Sequence, residues 1–238
     1  MAKLITLGSS SSGNCYILDC DNEQLIIELG VSWKEIMKGL NYDITKVRAC
    51  LTSHIHKDHS KSIPNAIKYG LQVVSCVEVR TIHPQVKVLK KGVKMRLGGF
   101  KVQAIPLQHN CECYGYLIEH NSIGKLVFAT DCNSVTYRFK GISHWLIESN
   151  YSNDLLIDNM CNDTYSQSAS ENHLEIEDTI EVLKQNYSSE LQTIILCHLS
   201  NGNSNAELFK QRVKDELGFD NVFVADKGLV VELNKDEF

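Results

Sequence analysis

One short segment constrains the fold more than any other part of the chain. Four side chains that can bind a metal, His54, His56, Asp58 and His59, directly follow the apolar run Val47–Leu51. Such runs favour strands, and open α/β sheets place their sites just beyond the carboxyl ends of strands. On a turn there, the four side chains can converge, and imidazole with carboxylate suits Zn²⁺, Mn²⁺ or Fe. The alternative is a polar loop in which histidines happen to cluster.

Short apolar runs with β-branched residues recur along the chain and predict further strands, of which the continuous ones are buried on both faces. The main runs are Leu25–Leu29, Val47–Thr52, Gln72–Cys76, Phe100–Ile105, Tyr114–Glu119, Lys125–Thr130, Trp145–Glu148, Thr193–Cys197, Asn221–Ala225 and Leu229–Leu233. The residues before Gly8 predict a first strand.

Helical periodicity is rarer. It predicts helices over Ile176–Tyr187, over Leu208–Leu217 and from Pro64 to Gly70. Because strands outnumber helices, the pattern favours a mixed α/β fold with sheets packed face to face and helices outside. The chain has only three prolines, which makes a linker between two domains improbable, and we expect one domain over residues 1–238.

Three further candidate ligands, His109, Asp131 and His198, also lie just beyond apolar runs. Taken singly, each would more often be an ordinary polar residue at the end of a strand. Taken together, they supply the ligands that the first segment lacks. The set as a whole therefore favours a metal site.

The order of these ligands resembles that of the metallo-β-lactamase superfamily, and the resemblance covers nearly the whole chain. It implies a four-layer αββα sandwich with two metal ions in a cleft at one edge. On this mapping His54, His56 and His109 hold the first metal, Asp58, His59 and His198 hold the second, and Asp131 bridges them. Glu28 stands where the superfamily usually has an Asp that orients a ligating histidine.

Four further segments look like the WalJ/YycJ branch of this superfamily, which is related to tRNase Z-type phosphodiesterases. They are Gly8–Asn14, Ile147–Tyr151, Asn172–Leu174 and His198–Asn201. In that branch the histidine matching His173 lies on the substrate side, where it can contact a phosphate or protonate the leaving oxygen. The alternative is a solvent-facing residue before the Ile176 helix. The serines of the first segment could offer backbone N–H groups to a phosphate, or they could form an ordinary turn.

This chain departs from the branch in two places, and the second of them, a missing basic residue, weakens the expectation of a long nucleic-acid substrate. The branch usually has Asp after the third histidine, where this chain has Asn110–Cys113, and it commonly has a basic residue where this chain has Glu171-Asn172. The net charge of −5, from 24 Lys and Arg against 29 Asp and Glu, also argues against a broad basic surface. Cys111 and Cys113 could reach the first metal, but two soft ligands would close a site that catalysis needs open.

The cysteines and the start of the chain bear on the compartment. Nine cysteines without a C-x-x-C pair, several of them in apolar runs, are typical of reduced thiols in a cytoplasmic protein. The apolar stretch before Gly8 is too short for a signal peptide, and no run approaches a membrane span. We therefore expect a cytoplasmic protein, and a homodimer would suit a cleft that lacks its own lid.

The ligand set, together with the role that the resemblance implies for His173, predicts a metal-dependent hydrolase of the phosphodiesterase type. Two divalent ions, zinc as the first choice and manganese as the second, would hold a bridging hydroxide and polarise a phosphoryl oxygen. Asp58 would also orient the nucleophile. The substrate would be a nucleic-acid end or a small linear or cyclic nucleotide. The alternatives are hydrolysis of a carbon ester, thioester or lactam, and a non-catalytic metal-binding regulatory protein.

Overall fold

Two seven-stranded sheets form the framework of the fold in the computed structural model, which describes residues 2–159 and 171–233. The first sheet has the order β14-β1-β2-β3-β4-β5-β6 and contains β1 (Ala2–Gly8), β2 (Cys15–Cys20), β3 (Glu23–Ile27), β4 (Val47–Leu51), β5 (Val73–Ser75), β6 (Lys87–Val88) and β14 (Val230–Glu232). The second has the order β13-β12-β11-β10-β9-β8-β7 and contains β7 (Lys94–Leu97), β8 (Phe100–Leu107), β9 (Cys113–His120), β10 (Gly124–Ala129), β11 (His144–Glu148), β12 (Thr193–Cys197) and β13 (Val222–Val224).

The described helices lie between these strands in the chain. They are α1 (Trp33–Gly39), α2 (Lys57–Ser60), α3 (Ile63–Lys68), α4 (Val77–Ile82), α5 (Asn153–Asn159), α6 (Ile176–Gln185) and α7 (Ala206–Leu217). None of the helices in the described ranges is long and apolar enough to cross a membrane.

Successive side chains along the central strands of the second sheet point to opposite faces, and both faces are buried. Leu146 and Ile195 belong to the core that the two sheets share, whereas Trp145 and Ile194 pack in a separate cluster that includes residues of α6 and α7. On the other side of the molecule, α1, α3 and α4 contribute buried side chains to the core of the first sheet. The layers are therefore helices, sheet, sheet and helices, which confirms the predicted αββα architecture.

The helices differ in detail from the sequence-based prediction. The helix predicted from Pro64 to Gly70 is α3, which begins one residue earlier because proline fits the first turn of a helix. The helix predicted to reach Tyr187 ends at Gln185. The prediction missed α1, although Ser32 and Glu35 form a capping box there. The expectation of a single domain stays a prediction.

The direction of the strands brings many loop residues to one edge. Strands β3, β4 and β5 are parallel to one another, and so are β10, β11, β12 and β13. β2 is antiparallel to both β1 and β3, and β9 is antiparallel to both β8 and β10. β1 therefore runs in the same direction as β3, and β8 in the same direction as β10. His59 of one sheet contacts Asp131 of the other at 2.8 Å. The carboxyl ends of both sheets therefore face each other.

A close approach of three backbone segments holds the loops of the first sheet together at this edge. The N–H of Asn14 donates to the carbonyl of Asp58 at 2.8 Å, and the N–H of Gly30 donates to the carbonyl of Asn14 at 2.9 Å. A Cβ at position 30 would lie 1.6 Å from the carbonyl oxygen of Asp58. Only glycine can therefore occupy this position without moving the segment that carries Asp58 and His59.

We expect Gly30→Ala to destabilise the protein by about 2–3 kcal/mol, because an added methyl in a fully packed place forces the backbone apart. Urea unfolding of the purified chain measures this change. Gly202→Ala is the matched control, since a Cβ there meets no atom within 4 Å, and its effect should stay within about 0.5 kcal/mol. Equal stabilities of the two variants would contradict the role given to Gly30.

Candidate metal centre

All seven predicted metal ligands lie at the edge where the carboxyl ends of the strands meet. His54 and His56 occupy the loop after β4, Asp58 and His59 belong to α2, and His109, Asp131 and His198 follow β8, β10 and β12. The turn expected after β4 is thus helical in its second half. The seven side chains form two sets that meet at Asp131.

The first set consists of His54, His56 and His109. The Nε2 of His54 lies 2.9 Å from the Nδ1 of His56, and the Nε2 of His109 lies 3.3 Å from the same atom. A tetrahedral zinc ion with Zn–N bonds of about 2.0–2.1 Å separates its ligand nitrogens by about 3.3 Å. The three imidazoles are therefore spaced as ligands of one ion would be.

The second set consists of Asp58, His59 and His198. The Oδ2 of Asp58 lies 3.1 Å from the Nε2 of His59 and 3.6 Å from the Nε2 of His198. This nitrogen of His198 is buried and has no hydrogen-bond partner in the described part of the chain. A buried nitrogen without a partner is costly, and a metal ion held beside Asp58 would satisfy it.

Asp131 lies between the two sets. Its Oδ2 is 2.8 Å from the Nε2 of His59, and His54, His59 and Asp131 have ligand atoms within 4.8 Å of one another. Asp131 has a φ of 49°, His198 a φ of 54° and Glu28 a φ of 67°. Left-handed backbone costs a non-glycine residue roughly 1–2 kcal/mol and clusters at functional sites. The fold therefore tolerates strain at three positions of this edge.

Buried polar groups contact the predicted histidine ligands from behind. The Oγ of Ser53 lies 2.8 Å from the Nδ1 of His54. Glu28 accepts a hydrogen bond from the N–H of Ser53 at 3.1 Å, and its Oε1 lies 3.5 Å from the Nδ1 of His59. Glu28 thus faces a histidine that is a predicted ligand, as expected from the Asp that usually stands in its place.

Glu148 is a site residue to which sequence reasoning assigned no role. It is fully buried, and its Oε1 lies 3.0 Å from the Nδ1 of His198 and 2.7 Å from the Nδ1 of His173. Its Oε2 accepts from the N–H of Cys132 at 3.1 Å. The sequence does carry a signal for this residue. Glu148 ends a continuous apolar run, much as Asp131 follows the apolar run before it.

His173 joins the cluster from the segment before α6. Its Nδ1 lies 3.2 Å from the Oδ1 of Asp131, and its ring stacks on that of His198 with centroids 5.3 Å apart. About a quarter of its side chain is exposed, since its relative accessibility is 23%. His173 therefore borders the two sets from the solvent side, although His173 with Asp131, Glu148 and His198 could also hold an ion.

The carboxylates at this edge need positive charge close by. Glu28, Asp131 and Glu148 are buried, and Asp58 is half-buried. In the described ranges, the basic side chains within ion-pair distance of these four carboxylates are all histidines. Since a buried carboxylate without a compensating charge is expensive, the edge is stabilised either by protonated imidazoles or by bound metal ions.

The pKa shifts follow from this balance. Burial would raise the pKa of Asp131, but the charges of His198 and His59 outweigh it and hold the pKa well below its ordinary value. Burial would lower the pKa of His198, but Asp131, Asp58 and Glu148 raise it to about 9. Without a metal, this raised pKa favours a protonated His198 ring. A divalent ion bound there would displace the proton. The donor set therefore fits divalent metal ions.

Two cysteines lie behind the first set. The Sγ of Cys111 is 4.0 Å from the Nε2 of His56, and the Sγ of Cys113 is 3.8 Å from the Nδ1 of His54. Each thiol thus faces the ring nitrogen that points away from the neighbouring imidazoles. Cys111, which is half-buried, could still join His54, His56 and His109 around an ion.

The amino-acid sequence matches the family model described as Beta-lactamase superfamily domain over residues 33–198, which is more than half of the chain. The chain belongs to the beta-lactamase superfamily. Two relatives within it are YycJ of Bacillus anthracis, 26% identical over 237 residues, and WalJ of Streptococcus pneumoniae, 24% identical over 239 residues. The first alignment covers 90% of this chain and 89% of the relative, and the second covers 90% and 88%. Both relatives are named exodeoxyribonucleases.

Solved structures share the superfamily fold. YhfI of Bacillus subtilis, a metallo-beta-lactamase fold protein, superposes with a TM-score of 0.75 at 17% identity, covering 98% of this chain and 100% of that one. The short form of human tRNase Z has a TM-score of 0.70 at 13% identity, covering 97% and 99%. The predicted superfamily and fold are confirmed, and so is the expectation of an enzyme of the metal-dependent hydrolase class.

We expect Glu148→Gln to weaken metal binding by about 10–100-fold, because Glu148 uses Oε1 for His173 and His198 and Oε2 for the N–H of Cys132, whereas glutamine has one acceptor oxygen and would turn an NH₂ group toward one of these donors. Competition with a chelator of known zinc affinity measures the change. Glu119→Gln, on strand β9, is the control and should leave the affinity as it is. An unchanged affinity in Glu148→Gln would contradict the orienting role of this carboxylate.

Proposed function

We propose that this chain is a two-metal phosphodiesterase of the nuclease type, acting on nucleic-acid ends or on small linear or cyclic nucleotides. The position of Asp131, in contact with His59 and close to His54, carries the proposal, because it allows one carboxylate to serve two ions. The relatives YycJ and WalJ, which are named exodeoxyribonucleases, support a nucleic-acid or nucleotide substrate.

The residues of the two sets suggest the metals. Three imidazoles in the first set favour zinc, and the carboxylate and two imidazoles of the second set are compatible with zinc or manganese. When bound, such a pair of ions lowers the pKa of water and neutralises charge on a phosphoryl group. His54, His56 and His109 would hold the first ion, Asp58, His59 and His198 the second, and Asp131 would contact both.

The position of Asp58 supports a role in orienting the attacking water. Its side chain is 23% exposed, whereas His59 beside it is fully buried. One carboxylate oxygen, Oδ2, faces the nitrogens of His59 and His198. The other oxygen remains to accept a hydrogen bond from water, which would align the nucleophile with the phosphorus atom.

The position of His173 supports a role in protonating the leaving oxygen. Glu148 and Asp131 hold its Nδ1, so the Nε2 is the atom that can donate a proton. Burial would lower the pKa of His173, but the charge of Glu148 and the hydrogen bond to Asp131 raise it to about 10. In the metal-free chain, Glu148 and Asp131 thus favour the protonated ring, which is the form that a general acid needs.

The overall charge favours a short substrate. The net charge is −5, and Glu171 and Asn172 precede His173 where a basic residue would strengthen the grip on a polymer. A nucleic-acid end or a small nucleotide makes fewer phosphate contacts than a long duplex, so it depends less on such charges. The homodimer stays a prediction.

Asp58→Asn and His56→Ala should each reduce cleavage of bis-p-nitrophenyl phosphate below detection, because each change removes a proposed ligand. Activity is measured on zinc-loaded and manganese-loaded protein, and metal content is measured by mass spectrometry. His83→Ala, beyond the end of α4, is the control and should keep full activity. Full activity in Asp58→Asn or His56→Ala would remove the metal assignment.

The same protein should be offered cyclic mononucleotides, single-stranded and double-stranded DNA, RNA, a thioester and a β-lactam. We expect turnover of phosphodiesters, since the site supplies cations and a general acid for a phosphoryl group. Turnover of the thioester or the lactam alone would contradict the proposal and support the alternative hydrolase.

His173→Ala should lower kcat by about 100-fold or more, the usual contribution of a general acid, while the bound metal stays the same. The loss should be smaller for substrates whose leaving group needs no proton, such as p-nitrophenolate, than for a nucleoside leaving group. Loss of a metal ion from His173→Ala would instead place His173 among the ligands.

A further inference from the structure

A polar cavity of about 700 Å³ lies next to the second set of proposed ligands. One wall is the loop after β1, with Ser10 and Ser12, and the facing wall is the segment after β12, with Ser200 and Asn201. Binding sites for small molecules and cofactors typically enclose about 300–1,000 Å³. The cavity thus has the size of a ligand site.

The first wall is attached directly to two proposed metal ligands. The Oγ of Ser9 accepts a hydrogen bond from the backbone N–H of His198 at 3.0 Å. At the other end of the loop, the Nδ2 of Asn14 lies 3.1 Å from the Nε2 of His59. Between these anchors, Ser10 and Ser12 face the cavity and their hydroxyls lie 2.7 Å apart.

The second wall starts one residue after His198. Leu199, Ser200 and Asn201 all line the cavity. The hydroxyl of Ser204 donates a hydrogen bond to the carbonyl of Ser200 at 2.6 Å. Both walls are therefore direct continuations of the segments that carry the second set. The cavity thus adjoins the second set through Ser9, which accepts from the N–H of His198, and through Leu199, the next residue.

The charges of the lining do not suit a phosphate. The lining contains three carboxylates, of Glu35, Glu207 and Asp226, and two ammonium groups, of Lys61 and Lys227. Lys227 is already paired with Glu35. The other charged groups of the lining are the carboxylates of Glu207 and Asp226 and the ammonium group of Lys61. Their net negative charge would repel an anion rather than hold it.

The rest of the lining suits a neutral group with hydroxyls and a flat apolar surface. Serine and asparagine side chains offer donors and acceptors, while Leu7, Val31 and Leu199 offer aliphatic surface. A sugar with its base presents both kinds of surface. The phosphate of the same nucleotide would lie at the metal sets, where the cations are.

We propose that this cavity is the nucleoside subsite of the enzyme: it binds the sugar and base attached to the phosphoryl group that is cleaved. The proposal rests on the phosphodiesterase activity proposed above and specifies its substrate as a nucleotide rather than any phosphodiester. Ser12 and Asn201, one on each wall and both exposed, are the positions at which a large side chain would fill the cavity with little risk to folding.

Two chromogenic substrates that differ in one group test the subsite. Thymidine 5′-(p-nitrophenyl phosphate) carries a nucleoside where bis-p-nitrophenyl phosphate carries a second nitrophenyl group. The quantity to compare is the kcat/KM for the thymidine substrate divided by the kcat/KM for bis-p-nitrophenyl phosphate, measured with full-length, zinc-loaded protein. We expect this ratio to fall by about tenfold or more in Ser12→Trp and in Asn201→Trp. Ser189→Trp is the matched control, because Ser189 precedes β12 at the opposite end of the strand, and it should keep the ratio of the unmodified protein.

A ratio that is the same in all four proteins would overturn the subsite while leaving the phosphodiesterase intact. If the unmodified protein cleaves neither substrate, the proposed function fails, and the cavity is then tested by saturation-transfer NMR with thymidine. A thymidine signal that is present in the unmodified protein and lost in both Ser12→Trp and Asn201→Trp would support the subsite. No signal in the unmodified protein would overturn it.

Discussion

The organisation of this protein depends on four carboxylates gathered where the two sheets meet. Glu28, Asp131 and Glu148 are buried and Asp58 is half-buried, and the described side chains that could balance them are histidines. Such a concentration of negative charge in a place of low dielectric is stable only beside cations. Metal binding and the stability of the edge are therefore expected to be coupled, since ions that bind the folded chain stabilise it.

Strand direction explains how distant residues come to this place. The parallel pairing of β11 with β12 sets Glu148 opposite Cys197, so the carboxylate reaches the ring of His198 in the next position. The loop after β1 then ties the same histidine to the cavity through Ser9. The site and the adjoining subsite are thus consequences of one arrangement, in which strands from both sheets end at a common edge.

Much of this arrangement could be predicted from the sequence, because proposed ligands such as His54 and His198 closely follow apolar runs and strand ends share an edge in such folds. The role of Glu148 could not, since it depends on the register between two strands that are far apart in the chain. The contact of Asn14 with His59 depends on the close packing at Gly30, which leaves no periodic pattern. The short helix α1 was missed because seven residues are too few for helical periodicity to stand out.

The proposed site requires that two ions share Asp131. Crystals of the zinc-loaded protein, measured on both sides of the zinc absorption edge, test it most directly. We predict two anomalous peaks about 3.5–4 Å apart, one beside His54, His56 and His109 and the other beside Asp58, His59 and His198, with Asp131 in contact with both. A single peak, or two peaks of which one lies away from Asp131, would contradict the two-metal site.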